Sequence, residues 1–194
     1  MNINIKTPEQ FKNVPWKNGK GTTTELAINK NGSLDNFDWR ISIASVAENG
    51  LFSNFSGYTR NLTLIAGNGI DLHHYHNDVS KTHSLQSILD VSVFDGGSAT
   101  TGELHKGEIL DFNVIVKTDK YAIETINNVT LTQVSLEAEY DYFVYCLANN
   151  AKLIQDEEVI NELALGHLMH ITDLTDNNIK LSGEMLITIK LKHK

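Results

Sequence analysis

Leu62-Thr63-Leu64-Ile65-Ala66-Gly67-Asn68-Gly69-Ile70-Asp71-Leu72 holds two apolar runs divided by a Gly-Asn-Gly turn, and this stretch decides the fold class. Short aliphatic runs bounded by Gly and Asn are strand signals, and a turn this tight predicts a hairpin. Phe143 to Leu153 (FVYCLANNAKL) lays over the same pattern 81 residues on (62 to 143), close to half of the 194-residue chain. A strand–turn–strand unit recurring at half-chain spacing predicts two stacked β-barrels or half-barrels built by one chain. No Pro- or Gly-rich linker lies between the halves, so they are expected to pack as one compact unit over 1–194, with approximate halves 1–118 and 119–194.

Outward from this stretch the period stays close to two. Phe37, Trp39, Ile41 and Ile43 alternate with Asp38, Arg40, Ser42 and Ala44, a clear strand. Further strands are expected at Thr22–Ile28, Ile88–Phe94, Phe112–Lys117, Val129–Val134, Tyr142–Leu147, Leu168–Ile171 and Met185–Leu191. Turn clusters divide them at Asn29–Gly32, Gly96–Ser98, Asn127–Asn128, Asn149–Asn150, Asp176–Asn178 and Ser182–Gly183. Helical signal is confined to Thr7-Pro8-Glu9-Gln10-Phe11, a capped turn with Pro at its first position. The expected class is therefore all-β, antiparallel, with few short helical turns.

The charge balance is 16 basic against 24 acidic residues, a net of −8 with the eight histidines neutral. That argues against nucleic-acid binding, which relies on clustered Lys and Arg. It leaves room for a small acidic ligand, because one buried Arg can hold a carboxylate on an acidic protein. Met1 to Lys6 shows no signal pattern, and no run approaches the roughly 18 apolar residues of a membrane span. A cytoplasmic protein is expected, with no membrane partner. Cys146 lies between apolar residues and reads as a core residue, with no activating neighbour for a catalytic thiol.

The N-terminal third holds most of the polar residues that hydrophobic patterning leaves unexplained. Trp16-Lys17-Asn18-Gly19-Lys20-Gly21 feeds the strand Thr22-Thr23-Thr24-Glu25, so it is no P-loop, which would end in Gly-Lys-Ser/Thr and open a helix. It is either a tight turn with a packing Trp or a loop whose backbone N–H groups approach an anion. Arg40 and Ser42 share one strand face. On an open sheet that face is solvated; in a barrel it lines the lumen, where an Arg suits bidentate carboxylate recognition. Arg60 follows the loop containing Phe52, and Asp111 and Asn113 sit two apart on one strand face.

His73-His74-Tyr75-His76 places imidazoles at alternate positions, with Asp78 and His83 near. His74 and His76 are the candidate metal ligands, set against a polar hairpin tip. No Glu follows at the spacing of a cupin metal motif, and a facial site needs about three converging ligands; no metal or other cofactor is expected. A Gly-x-Ser-x-Gly elbow is absent, and Asp156-Glu157-Glu158 reads as a solvated turn.

The blocks PWKNGKGTTTEL (Pro15–Leu26), WRISIASV (Trp39–Val46), GLFSNFSGYTR (Gly50–Arg60), FDGG (Phe94–Gly97), and Gly107 with DFNV (Asp111–Val114) resemble the HutD/Ves family of the cupin superfamily. The last 80 or so residues match only in strand rhythm and in a closing strand. Three departures stand out, the first being that the His73–His76 run is not a family motif. Lys20 replaces one glycine of the family's Asn-Gly-Gly-Gly loop, and Gly97 stands where Asp is common.

The resemblance implies a bicupin, two packed antiparallel β-barrels or sandwiches from one chain. It implies a pocket lined by the first loop, the Trp-Arg strand, the Phe-Ser loop and the Asp-Phe-Asn strand. It also implies an accessory or regulatory ligand-binder of bacterial histidine utilisation, while one branch is named for stress induction.

On these grounds the expected ligand is a small acidic metabolite of the urocanate, formiminoglutamate or formylglutamate type. Arg40 and Arg60 would partner its carboxylate, Trp16 and Phe52 form apolar walls, and Asn18, Ser42 and Asn113 orient it. The alternatives are an enzyme with Glu25 or Asp111 as general base, or a protein-interaction module. A homodimer is compatible with either.

Overall fold

The structure, a computed structural model, describes residues 1–16, 21–128, 130, 132–176 and 178–194. The period-two sequence becomes extended chain almost throughout, and among the described residues the one helical turn is a 3-10 turn at Pro8–Gln10. Among the described residues nineteen strands follow one another. The first eleven are β1 (Asn2–Lys6), β2 (Lys12–Pro15), β3 (Gly21–Ile28), β4 (Trp39–Val46), β5 (Gly50–Leu51), β6 (Tyr58–Ala66), β7 (Ile70–His76), β8 (Val79–Leu85), β9 (Val91–Asp95), β10 (Ala99–Leu104) and β11 (Ile109–Lys117). The remaining eight are β12 (Tyr121–Asn128), β13 (Thr132–Ser135), β14 (Asp141–Cys146), β15 (Ala151–Gln155), β16 (Glu158–Leu163), β17 (Leu168–Thr172), β18 (Ile179–Gly183) and β19 (Leu186–His193).

The chain divides into two compact units. One is Phe11–Lys120; the other joins Met1–Gln10 to Tyr121–Lys194, because β1 pairs with β17. The first unit has a six-stranded sheet, β2-β3-β4-β11-β6-β9, and a four-stranded sheet, β5-β10-β7-β8. The second has β1-β17-β14-β19-β12 and β13-β18-β15-β16. Adding eight to each label from β4 to β11 gives β12 to β19 in the same sheet order, so the weak sequence repeat reflects a topological repeat of eight strands, with β2–β3 and β1 added at opposite edges. The fold is all-β and bicupin-like, as the residues and the resemblance indicate.

Each unit closes on its own apolar core. In Phe11–Lys120 the core joins Val46, Leu62, Leu64 and Ile109 of the six-stranded sheet to Ile70, Leu72 and Leu85 of the smaller one. In the other unit Tyr142, Val144, Cys146 and Met169 meet Ala151, Leu153, Leu163 and Leu181. Cys146 is fully buried, as its apolar flanks suggest.

Three local expectations are corrected. The Gly67-Asn68-Gly69 turn does not form a hairpin: β6 pairs with β9 and β11, whereas β7 pairs with β8 and β10. It is a corner between sheets, held by His105 N–H to the Gly69 carbonyl at 3.1 Å and Asn68 Nδ2 to the Lys106 carbonyl at 3.0 Å. Gly67 and Gly69 have φ of +100° and +115°, which other residues rarely adopt. The copy at residues 143–153 also changes sheets, from β14 to β15.

The second correction concerns β9, which starts at Val91 rather than Ile88. Asp90 Oδ2 accepts the N–H groups of Gln86 and Ser87 at 2.8 Å and ties residues 86–90 into a turn, with Leu89 at φ +76°. Third, Ser182 and Gly183 end strand β18, and Asn127 and Asn128 end strand β12, instead of turning. Among the described residues no helix is long and apolar enough to cross a membrane.

Candidate functional site

The six-stranded sheet of the Phe11–Lys120 unit carries its polar residues on the face toward that unit's own core. Register sets them in three rungs. Thr23, Ala44, Asp111 and Leu64 form one; Glu25, Ser42, Asn113, Leu62 and Ser92 the next; Arg40, Ile115, Arg60 and Phe94 the third. Alternation along β4, β6 and β11 makes this inevitable once one residue of each strand points inward. Arg40 and Arg60 are thus two strands apart on one rung, about 9–10 Å between Cα atoms at normal strand spacing.

The polar groups at the centre of these rungs are buried: Arg40 is 6%, Arg60 5%, Asn113 2% and Asp111 0% exposed, while Thr23, Glu25 and Phe94 are half-buried. The lumen reading of the Arg40–Ser42 face therefore holds, and Trp39 and Ile43 on the opposite face are only half-buried. Arg40 Nε donates to Glu25 Oε2 at 2.8 Å, so Glu25 serves as the counter-ion of Arg40.

Arg60 is held differently. Its Nε and Nη2 both donate to the neutral Asn113 Oδ1, at 2.9 and 2.5 Å. Asn113 Nδ2 in turn donates to Asp111 Oδ1. The guanidinium carbon lies 5.0 Å from the Phe52 ring centroid and 5.5 Å from that of Phe94, within cation–π range. Phe52 is presented by a pinned loop: its N–H donates to the Thr100 carbonyl, and Asn54 Nδ2 donates to the Gly97 carbonyl. Phe37, Phe55 and Tyr58 brace that loop with ring contacts of 4.7–6.3 Å.

Burial governs the electrostatics. Loss of water lowers the Arg60 pKa to about 10; Asp111 opposes this and Arg40 adds to it. Burial raises the Asp111 carboxyl to about 6, against the pull of Arg60 and the Asn113 hydrogen bond. Its Oδ2 is buried and has no hydrogen-bond partner. Sharing Arg60 through Asn113, without a direct ion pair, leaves Asp111 only partly compensated.

Trp16 packs against this core and donates from Nε1 to Thr23 Oγ1 at 2.7 Å. A Cβ on Gly21 would fall 2.2 Å from the Ser45 carbonyl and 3.0 Å from the Trp16 ring, so that glycine is required by close packing. Asn18, the remaining expected ligand contact, lies outside the described residues.

The histidines separate. His74 is buried, with Nδ1 2.9 Å from Thr100 Oγ1 and Nε2 3.2 Å from Ser92 Oγ; Ser92 Oγ also lies 2.5 Å from His83 Nδ1. Burial lowers the His74 pKa to about 4, helped by nearby cationic groups, and also lowers that of His83. His76 is far more exposed, its Nε2 4.0 Å from Asp95 Oδ2. Among the described residues no group of three or more His, Cys, Asp or Glu is arranged to hold a metal ion. His74 is thus a lumen wall and not a hairpin tip; the tip is Asn77-Asp78, both at positive φ.

A pocket of about 190 Å³ opens between β8 and β9, lined by His74, His83, Phe94 and Ser98 among others. Phe94 faces Arg60 on one contact and packs against His74 on another, ring centroids 4.3 Å apart and planes tilted by 32°. Sequence reasoning missed Phe94, Ser92 and Thr100 as site residues. In Val91-Ser92-Val93-Phe94 it is Ser92 that is buried, while Val91 and Val93 are exposed, so hydrophobicity alone points the wrong way. Only registration opposite Leu62 reveals it.

A family model described as HutD matches residues 8–188. An uncharacterised 21.2 kDa protein in the hutC 3′ region of Pseudomonas putida is 37% identical over 119 residues, 61% of this chain and 60% of that protein. Protein Ves of Escherichia fergusonii is 36% identical over 103 residues, 53% of this chain and 51% of its own length. The matched chain spans between half and two thirds of the length of these two relatives. The solved structure of HutD from Pseudomonas fluorescens SBW25 covers 100% of both chains, with a TM-score of 0.80 at 26% identity.

Proposed function

The chain belongs to the HutD family, and on that premise we propose that it binds a small carboxylate metabolite in the Phe11–Lys120 unit, as an accessory or regulatory protein of bacterial histidine utilisation. The relative in the hutC 3′ region supports the pathway part of this reading. The observation that carries the binding part is the difference between the two buried arginines. Arg40 has Glu25 as a direct counter-ion, whereas Arg60 hydrogen-bonds a neutral amide between two aromatic rings. A buried guanidinium without a directly bound anion is matched to a planar carboxylate. The ligand types that suit it are urocanate, formiminoglutamate and formylglutamate.

The test is an NMR time course of these three acids mixed with purified protein. Ligand line broadening that is lost in Arg60→Ala, without new resonances, is the expected result. Absence of any ligand response refutes the carboxylate assignment. One observation favours a second reading: Asp111, with its raised pKa and unpartnered Oδ2, has the properties of a general base. New product resonances that disappear in Asp111→Asn would establish that reading in place of simple binding.

A further inference from the structure

The charged groups around Arg60 balance only for the empty site. On the six-stranded sheet they are Arg40 with Glu25, and Arg60 with Asp111 reached through Asn113. The facing sheet contributes His74 on β7 and His83 on β8, both tied to the Ser92 hydroxyl and both made harder to protonate by burial. Two cations and two ionised carboxylates sum to zero. A carboxylate ligand entering beside Arg60 adds one buried negative charge that nothing on these strands offsets, and an uncompensated buried charge is costly.

Asp111 supplies the remedy. Its Oδ1 is engaged by Asn113, but Oδ2 is buried and without a hydrogen-bond partner, an atom that water does not stabilise as an anion. We infer that the site takes up a small monocarboxylate together with one proton: the ligand's carboxylate replaces Asp111 as the counter-ion of Arg60, and Asp111 becomes a neutral acid. The proton comes from solvent and resides on Oδ2, and no covalent bond in the ligand changes. This rests on the carboxylate-binding reading above and narrows it to ligands with a single carboxylate, which urocanate is and the two glutamate derivatives, with two carboxylates each, are not. A dianion would need a second proton acceptor, and Glu25, the remaining carboxylate on these rungs, is bound to Arg40.

The experiment is isothermal titration calorimetry with 3-(2-furyl)acrylate, a planar monocarboxylate whose ring does not titrate, and with fumarate as a dianion of comparable length. Titrations at about pH 7.5 in phosphate and in Tris, whose ionisation enthalpies differ, count protons. The expected result is uptake of about one proton per furylacrylate, with affinity falling about tenfold per pH unit above the Asp111 midpoint. Folded Asp111→Asn should bind with no proton uptake and a flat pH profile. If that variant does not fold, the buffer pair on the wild-type protein decides alone.

Furylacrylate binding without proton uptake, or uptake that persists in Asp111→Asn, overturns the inference and leaves the carboxylate reading intact. Fumarate binding as tightly as furylacrylate overturns the monocarboxylate assignment. Failure of both acids to bind overturns the reading and the inference together.

Discussion

Replacing Asp111 by Asn should change how stability depends on pH more than it changes stability at any one pH. The native carboxyl has its pKa raised from 3.8 to about 6 by burial. Between those values the native state binds more protons than the unfolded state, so its contribution is fully present below about 3.8 and is lost as pH rises through about 6. That difference between the native and unfolded carboxyl corresponds to about 3 kcal/mol. The Asn variant has no such proton to lose.

Urea unfolding of both proteins at intervals from about pH 4 to 7.5 should therefore show the variant gaining roughly 3 kcal/mol relative to wild type across that window. His74 and His170, both lowered to about 4 by burial, titrate in the same range, but they are common to both proteins and cancel in the difference. A difference that stays constant with pH would show that Asp111 is not buried as an uncompensated acid, and the electrostatic description of the site would fail with it.

Other consequences are equally direct. Arg60→Ala should weaken carboxylate binding by about 2–5 kcal/mol in equilibrium titrations, and Arg60→Lys should not restore it, because a point charge cannot reproduce the stacked, planar fork. Arg40→Ala should also destabilise the fold, by leaving the half-buried Glu25 without its partner; an unchanged unfolding midpoint would remove that ion pair from the account. His74→Leu should lessen the acid-side loss of stability: wild type loses stability as pH falls from about 6.5 to 4, since burial opposes imidazole protonation. Gly69→Ala should cost about 1–3 kcal/mol of stability, read from the urea midpoint, through its positive φ and the approach of His105. Finally, the Cys146 thiol, buried and with a raised pKa, should react with a thiol reagent only at the rate of unfolding.

Much of this was legible in the residues before any coordinates. Alternation at Phe37–Ala44 located β4, and the half-chain repeat disclosed the paired topology. The blocks holding Arg40, Ser42, Phe52, Arg60, Asp111 and Asn113 supplied candidate residues, which register and contacts place around one lumen. Such features are local: they depend on a two-residue period and on the residue types that tolerate extended chain. What lay beyond the sequence was pairing. Gly67-Asn68-Gly69 looks the same whether it closes a hairpin or turns a corner between sheets, because the difference lies in which distant strand supplies the hydrogen bonds.

The same limit applies to the chemistry. An Arg on a strand face is solvated on an open sheet and desolvated in a barrel, and only the second sheet decides which. That sheet covers the face on which Arg60 lies between Phe52 and Phe94, holds His74 inside, and leaves Asp111 Oδ2 buried and unpartnered. Residue identity determined that charges would lie along these strands. Tertiary structure decided that they would meet without water, where a charge is stabilised only by its neighbours.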